Sequence, residues 1–200
     1  GCIKMGLKTE NEQYVKLAKT MLDDYRYNHS LCVAKEAVRL AKKYGANPKN
    51  AYIAGILHDI LKNTPLPEQL QWIRKSGIIF DNIQLASPPI WHGFAASVFI
   101  KEELHIEEEE IIMAVRYHTT GRGGMSLMEK VIYMADMTSA DRSYKDVNAI
   151  RKMVNKNLDE ALFESIRFSI SNLSKKRLPI PFDTVMAYDE LCVTHREESN

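Results

Sequence analysis

The chain has 200 residues, 45% of them hydrophobic and 26% charged, with a formal net charge of +1. That length buries a core without requiring a second domain, and near-neutrality argues against a broad nucleic-acid footprint while leaving room for a small anion held by local cations. Cys2, Cys32 and Cys192 are too few and too widely spaced for a disulfide framework or zinc ribbon; the longest apolar run, 51–57, is far short of a membrane span, and no signal-peptide core opens the chain.

The expectation is therefore a reduced, cytoplasmic, single-domain protein over 1–200, engaging neither membrane nor nucleic acid. Helical periodicity runs along it. Thr9 and Glu12 fit a capping box ahead of Val15, Leu17, Ala18, Met21 and Leu22. A second helix is expected over 28–44, with Val33, Ala34, Ala37, Val38 and Ala41 inward and Gly45 as its stop. Pro48 opens a third, which carries 52–62 and with it His58-Asp59, until Thr64-Pro65 and Pro67 end it. A short helix over 67–75 closes at Gly77, and 77–89 is the least regular stretch. Pro88-Pro89 restarts a helix with Trp91 and His92 near its beginning, and another spans 107–118 before Thr119-Thr120-Gly121. Ser126 and Glu129 cap the next, which holds Asp136. Helices follow over 147–154 and 158–173. Leu178-Pro179-Ile180-Pro181 then forces an extended stretch before a last helix over 184–193. No segment alternates as a strand, so the class is all-α, a helical bundle.

Five of these helices each contribute a metal-capable side chain: His29, His58-Asp59, His92, His118 and Asp136. A divalent cation that activates water takes imidazole nitrogen and carboxylate oxygen, and three or four such ligands leave positions open for water and substrate. Lys62 lies four residues after His58 and three after Asp59, on their face of a helix; Arg26 lies three before His29, and Arg142 six after Asp136. A metal with these three cations suits a phosphate substrate. From residue types and spacing alone, a buried hydrogen-bonded polar cluster explains the same residues equally well. His92 and His118 fit second-metal ligands, phosphate contacts or general acids. His105 and His195, and the acidic run 107–110, read as solvated surface.

The order His29, His58-Asp59, Asp136 resembles the HD superfamily of metal phosphohydrolases. A longer set of motifs resembles the bacterial YqeK-type symmetrical dinucleoside tetraphosphatases within it. The motifs are Arg-Tyr-Asn-His-Ser at 26–30, Ala-Gly-Ile-Leu-His-Asp at 54–59 with Lys62, Trp-His-Gly at 91–93, Tyr-His-Thr-Thr-Gly at 117–121 and Leu-Met-Glu-Lys-Val-Ile-Tyr-Met-Ala-Asp at 127–136. The resemblance implies a helical fold and cleavage of a dinucleoside tetraphosphate to two ADP. It implies iron held by His29, His58, Asp59 and Asp136, with manganese or another first-row ion also compatible and a second ion sharing Asp59 left open. It implies that Arg26, Lys62, His92, His118, Thr119 and Arg142 contact phosphates, and that Pro179, Ile180, Pro181 and Phe182 line a nucleoside pocket. Asp59, Lys62, His92, His118 and Arg142 would form the catalytic set. One departure is that the family reads Glu-Pro-x-Arg where this chain has Ser139-Ala140-Asp141-Arg142: the arginine is kept and the proline turn is not. Two other functions fit the same residues: an HD phosphohydrolase of a deoxynucleotide or alarmone, and a non-catalytic nucleotide-binding sensor. A homodimer is compatible with the sequence.

Overall fold

A computed structural model describes residues 11–198, with side chains through 194. Thr9, Cys2 and the side chain of His195 lie outside the described residues. Eleven helices and no strand are found among the described residues: α1 (Glu12–Met21), α2 (Asp24–Tyr44), α3 (Pro48–Leu57), α4 (Leu66–Lys75), α5 (Asn82–Leu85), α6 (Trp91–Glu102), α7 (Glu109–Tyr117), α8 (Leu127–Thr138), α9 (Val147–Val154), α10 (Leu158–Lys175) and α11 (Phe182–Glu198). A 3₁₀ turn, Pro88–Ile90, leads into α6. The all-α expectation holds.

Capping chemistry sets the boundaries that matter for the site. The Asp23 carboxylate accepts from the Arg26 amide at 2.8 Å, so α2 begins at Asp24, four residues earlier than its periodicity indicated. Arg26 and His29 thereby share one helical face. At the other end Gly45 takes φ +85°, the left-handed stop expected of it. Asn47 caps α3 through the amides of Lys49 and Asn50, with Pro48 in the first position. Ser126 and Glu129 form the expected capping box of α8. For α1 the described cap is Asn11, which places Glu12 in the first position rather than the third.

The largest correction concerns His58 and Asp59. The third helix ends at Leu57, and both residues lie in the turns beyond it, where Ile60 bonds back to Leu57 and Lys62 to Asp59 over three residues. The His58 ring donates to the Gly55 carbonyl at 2.7 Å, an acceptor that another helical turn would use. Leu57, Ile60 and Leu61 are buried on either side. Each such side chain contributes about 1.5–3 kcal/mol by leaving water, which pins the turn without helical hydrogen bonds.

Helix α2 packs on α3 and α8; α7 packs on α3, α6 and α8; α10 closes against α8, α9 and α11. Two glycines allow the tightest crossings. A Cβ on Gly55 would lie 2.6 Å from the Ala34 Cα, and one on Gly93 would lie 2.9 Å from the Arg116 carbonyl and 3.2 Å from the His118 ring. Backbone contact at Gly55 brings the His58 turn against α2. Contact at Gly93 brings His92 against His118.

Candidate metal centre

Arg26 and His29 come from α2, and His58, Asp59 and Lys62 from the turn after α3. His92 opens α6, His118 and Thr119 follow α7, Asp136 lies in α8, and Arg142 lies just beyond α8. Five separate elements thus converge, and His29, His58, Asp59, His92 and His118 are all buried. The loop carrying Thr119 is tied to α8 by Arg122, whose guanidinium grips the buried Glu129 carboxylate with two 2.7 Å bonds.

Hydrogen bonds set the direction of each imidazole. His58 Nδ1 is spent on Gly55, which leaves Nε2 facing inward, buried and without a hydrogen-bond partner. His118 repeats the arrangement, with Nδ1 on the Val115 carbonyl at 2.7 Å. His29 has a carboxylate at each nitrogen: Nδ1 lies 2.7 Å from Asp141 Oδ2 and Nε2 lies 3.0 Å from Asp136 Oδ1. Asp59 is shared, with Oδ2 3.1 Å from Arg26 Nη1 and Oδ1 3.1 Å from His92 Nε2 and 3.5 Å from His118 Nε2. The two Nε2 atoms of His92 and His118 are 3.1 Å apart. Lys62 Nζ lies 3.2 Å from His92 Nδ1. Arg142 donates to the backbone carbonyl of Asp136 at 2.8 Å and also to its carboxylate.

The electrostatics are those of a site that expects a cation. Burial disfavours charge on His29, but Asp136 and Asp141 outweigh it and raise its pKa to about 9. Burial lowers His58 and His92 to about 4 each, against the pull of Asp59. Loss of hydration at buried Asp59 and half-buried Asp136 favours their neutral forms. His58 beside the first, and His29 and Arg142 beside the second, nevertheless hold both below the ordinary carboxylate range. Burial lowers Lys62 from its ordinary value. Arg26, Lys62 and Arg142 balance the three carboxylates Asp59, Asp136 and Asp141, so with His29 deprotonated to bind it a divalent ion would leave the cluster net positive.

The residues fit such an ion. A buried, unpartnered imidazole nitrogen is costly unless something fills its lone pair, and His58 Nε2 points among carboxylates and imidazoles. Ligand atoms of His29, His58 and Asp59 lie within 4.8 Å of one another. The same holds for His58, His118 and Asp136, and for Asp59, His92 and His118. Nitrogen and oxygen donors without thiolate suit a hard or borderline first-row divalent ion.

Beside the cluster lies a cavity of about 440 Å³. Thr119 and Arg142 line it on the cluster side, and its apolar wall includes Ile90, Tyr144, Phe168 and Leu178. Of the four residues expected at a nucleoside pocket, Pro179 and Pro181 line this cavity and Ile180 and Phe182 do not. Phe182 opens α11 and is 64% exposed, so it turns to solvent rather than continuing the extended stretch. Sequence reasoning gave no role to Asp141, Tyr144 or Phe168. None carries a local signal, because each meets its partners only through the fold.

Comparison with known proteins agrees with this geometry. The HD domain family model matches residues 26–142, from Arg26 to Arg142. The chain is 36% identical to the symmetrical bis(5'-nucleosyl)-tetraphosphatase of Bacillus subtilis, over 90% of this chain and 96% of that protein. It is 34% identical to the Staphylococcus aureus protein of the same name, over 87% and 90%. The crystal structure of a predicted HD superfamily hydrolase involved in NAD metabolism from Clostridium acetobutylicum superposes with a TM-score of 0.87 at 30% identity, covering 94% of this chain and all of that one.

Proposed function

The chain belongs to the HD domain family, and from that premise we propose that it hydrolyses diadenosine tetraphosphate and related dinucleoside polyphosphates symmetrically, to two ADP. The observation that carries the reading is the unpartnered His58 Nε2 inside a ring of imidazoles and carboxylates, beside a cavity entered past Thr119 and Arg142. The substrate class is supported by relatives that match the chain over nearly its full length. The reading takes His29, His58, Asp59 and Asp136 as ligands, iron as the resident ion with manganese as a working substitute, and a cytoplasmic location.

A divalent ion so held supplies Lewis acidity and lowers the pKa of a nearby water. The chain's own residues do the rest. Lys62, Arg26 and Arg142 offer cationic donors to the non-bridging oxygens of the phosphate chain. ADP is a leaving group of low pKa, so neutralising developing charge matters more than protonating it. His92 is neutral at pH 7, which makes it a single N–H donor rather than an acid. The cavity, with Tyr144 and Phe168 in its wall, accepts one nucleoside and fixes the register of the phosphates over Asp59.

A second ion is favoured by one measurement. Asp59 Oδ1, His92 Nε2 and His118 Nε2 form a triangle with edges of 3.1, 3.5 and 3.1 Å, the spacing of neighbouring ligands around an ion about 2.1 Å from each. Lys62 against the His92 ring supports the one-ion reading, because a cation there suits a phosphate contact better than a ligand. Metal titration decides: one equivalent per chain at saturation supports one ion, and two equivalents the second reading.

The test of function is product analysis with the ferrous or manganese form. Two ADP per diadenosine tetraphosphate, abolished by chelation, supports the proposal. ATP with AMP, or inorganic phosphate as first product, contradicts it. Nucleotide bound without turnover by the metal-loaded chain supports a sensor instead.

A further inference from the structure

We propose that Asp141 is a positioning residue of the metal centre: its carboxylate accepts a hydrogen bond from the Nδ1–H of His29 and so turns Nε2 of that ring toward Asp136 and the ion. The inference rests on the metal-centre reading and not on the substrate.

Three imidazoles of the cluster solve one orientation problem in two ways. An imidazole can present only one lone pair, and the hydrogen bond at its other nitrogen decides which. His58 and His118 lie beyond helix ends and use the carbonyls three residues back, Gly55 and Val115, both at 2.7 Å. His29 lies inside α2, where the helix ladder uses the nearby carbonyls. Its acceptor must come from elsewhere, and Asp141, 112 residues away, lies 2.7 Å from Nδ1. His29 is 1% exposed, and Asp141 is the group that meets its Nδ1.

Asp141 is itself held. The Arg142 amide bonds to the Ser139 carbonyl at 3.1 Å, closing a β-turn over 139–142 with Asp141 in its third position. Arg151 then donates to the carbonyls of Thr138, Ser139 and Arg142 at 3.0, 2.6 and 2.9 Å. Within this turn, adjacent residues reach two ligands from different helices: Asp141 reaches His29 on α2 and Arg142 reaches Asp136 on α8.

Equilibrium dialysis of the full chain against Mn²⁺ tests this without turnover, using Asp141→Ala and Asp141→Asn. Asparagine keeps an acceptor oxygen at Nδ1 and removes the charge. Loss of an outer-shell partner weakens binding about 10- to 100-fold, so the alanine variant should fall in that range and the asparagine variant within about threefold of the parent chain. With Zn²⁺ as a diamagnetic probe, the slowly exchanging His29 Nδ1–H resonance should persist in the parent and asparagine forms and vanish in the alanine form. Alanine binding Mn²⁺ as tightly as the parent overturns the proposal, as does asparagine binding no more tightly than alanine. A parent chain that binds no Mn²⁺ overturns the metal-centre reading as well, and so separates the two failures.

Discussion

Asp59 occupies the crossing point of the cluster. One oxygen faces Arg26, and the other faces His92 and His118. Replacing it with alanine removes a ligand and leaves Arg26 without its anion. Asp59→Ala should therefore lose metal and turnover together, by elemental analysis and rate. Lys62→Ala should keep its metal and lose about 10²–10³ in kcat, the usual cost of one donor to transition-state charge. Loss of metal from Lys62→Ala would place that side chain in the wrong role. Residue type and spacing marked His29, His58, Asp59 and Asp136 as metal-capable without separating a metal site from a hydrogen-bonded polar cluster, and the family motifs carried the reading to ligands. Asp141 was not legible, since a single aspartate in a turn carries no sign of a histidine 112 residues away.

The same imidazoles set the pH response of the metal-free protein. His29 has a folded pKa of about 9 against 6.5 unfolded, so its stabilisation is complete below about pH 6.5 and is lost as pH rises toward 9. That shift corresponds to on the order of 3 kcal/mol. His58 and His92 are lowered to about 4, so their contribution is present above pH 6.5 and lost as pH falls through 4. Thermal melts of the chelated protein should peak near pH 6.5 and decline on both sides. A melting temperature still rising between pH 7 and 9 would contradict the assignment of His29.

At the scale of elements, most helices were legible from apolar periodicity and caps, and the differences have local causes. Helix α2 starts early because Asp23 caps it. The four-residue α5 was missed because its Asp81 and Gln84 capping box closes too short a run to show periodicity. The turn after α8 lacks the proline expected of its family, and Arg151 supplies the rigidity instead. Arg151→Ala removes three charge-assisted bonds and should cost about 2 kcal/mol or more, lowering the melting temperature by roughly 4–8 °C. Ala140 is the second residue of that turn, where proline is favoured, and Ser139 already has the extended ψ of 154° that a following proline demands. Ala140→Pro should therefore restore part of the loss, about 0.4–1 kcal/mol. A further drop in melting temperature would show that Arg151 does not stand in for a proline turn.

Across the whole molecule, the HD match ends at Arg142, yet the cavity wall continues through Phe168 and Thr184. The His/Asp cluster was readable in the sequence because His29, His58-Asp59 and Asp136 fall in motifs. Of the cavity wall, the sequence pointed to Thr119, Arg142, Pro179 and Pro181, because most of the rest is assembled from α10 and the loops around Ser87 and Tyr144. We infer that the described residues, 11–198, unfold as one unit, since α10 packs on α8, which carries Asp136. Helix content and metal release should follow one thermal transition, and two separate transitions would contradict a single domain.

The proposed reaction has water attack an inner phosphorus of a tetraphosphate at the centre built on His58-Asp59. Hydrolysis of diadenosine tetraphosphate in oxygen-18 water tests it directly. Half of the ADP should carry one heavy oxygen at its terminal phosphate, and none should with the metal chelated. Label in AMP, or in inorganic phosphate, would contradict it.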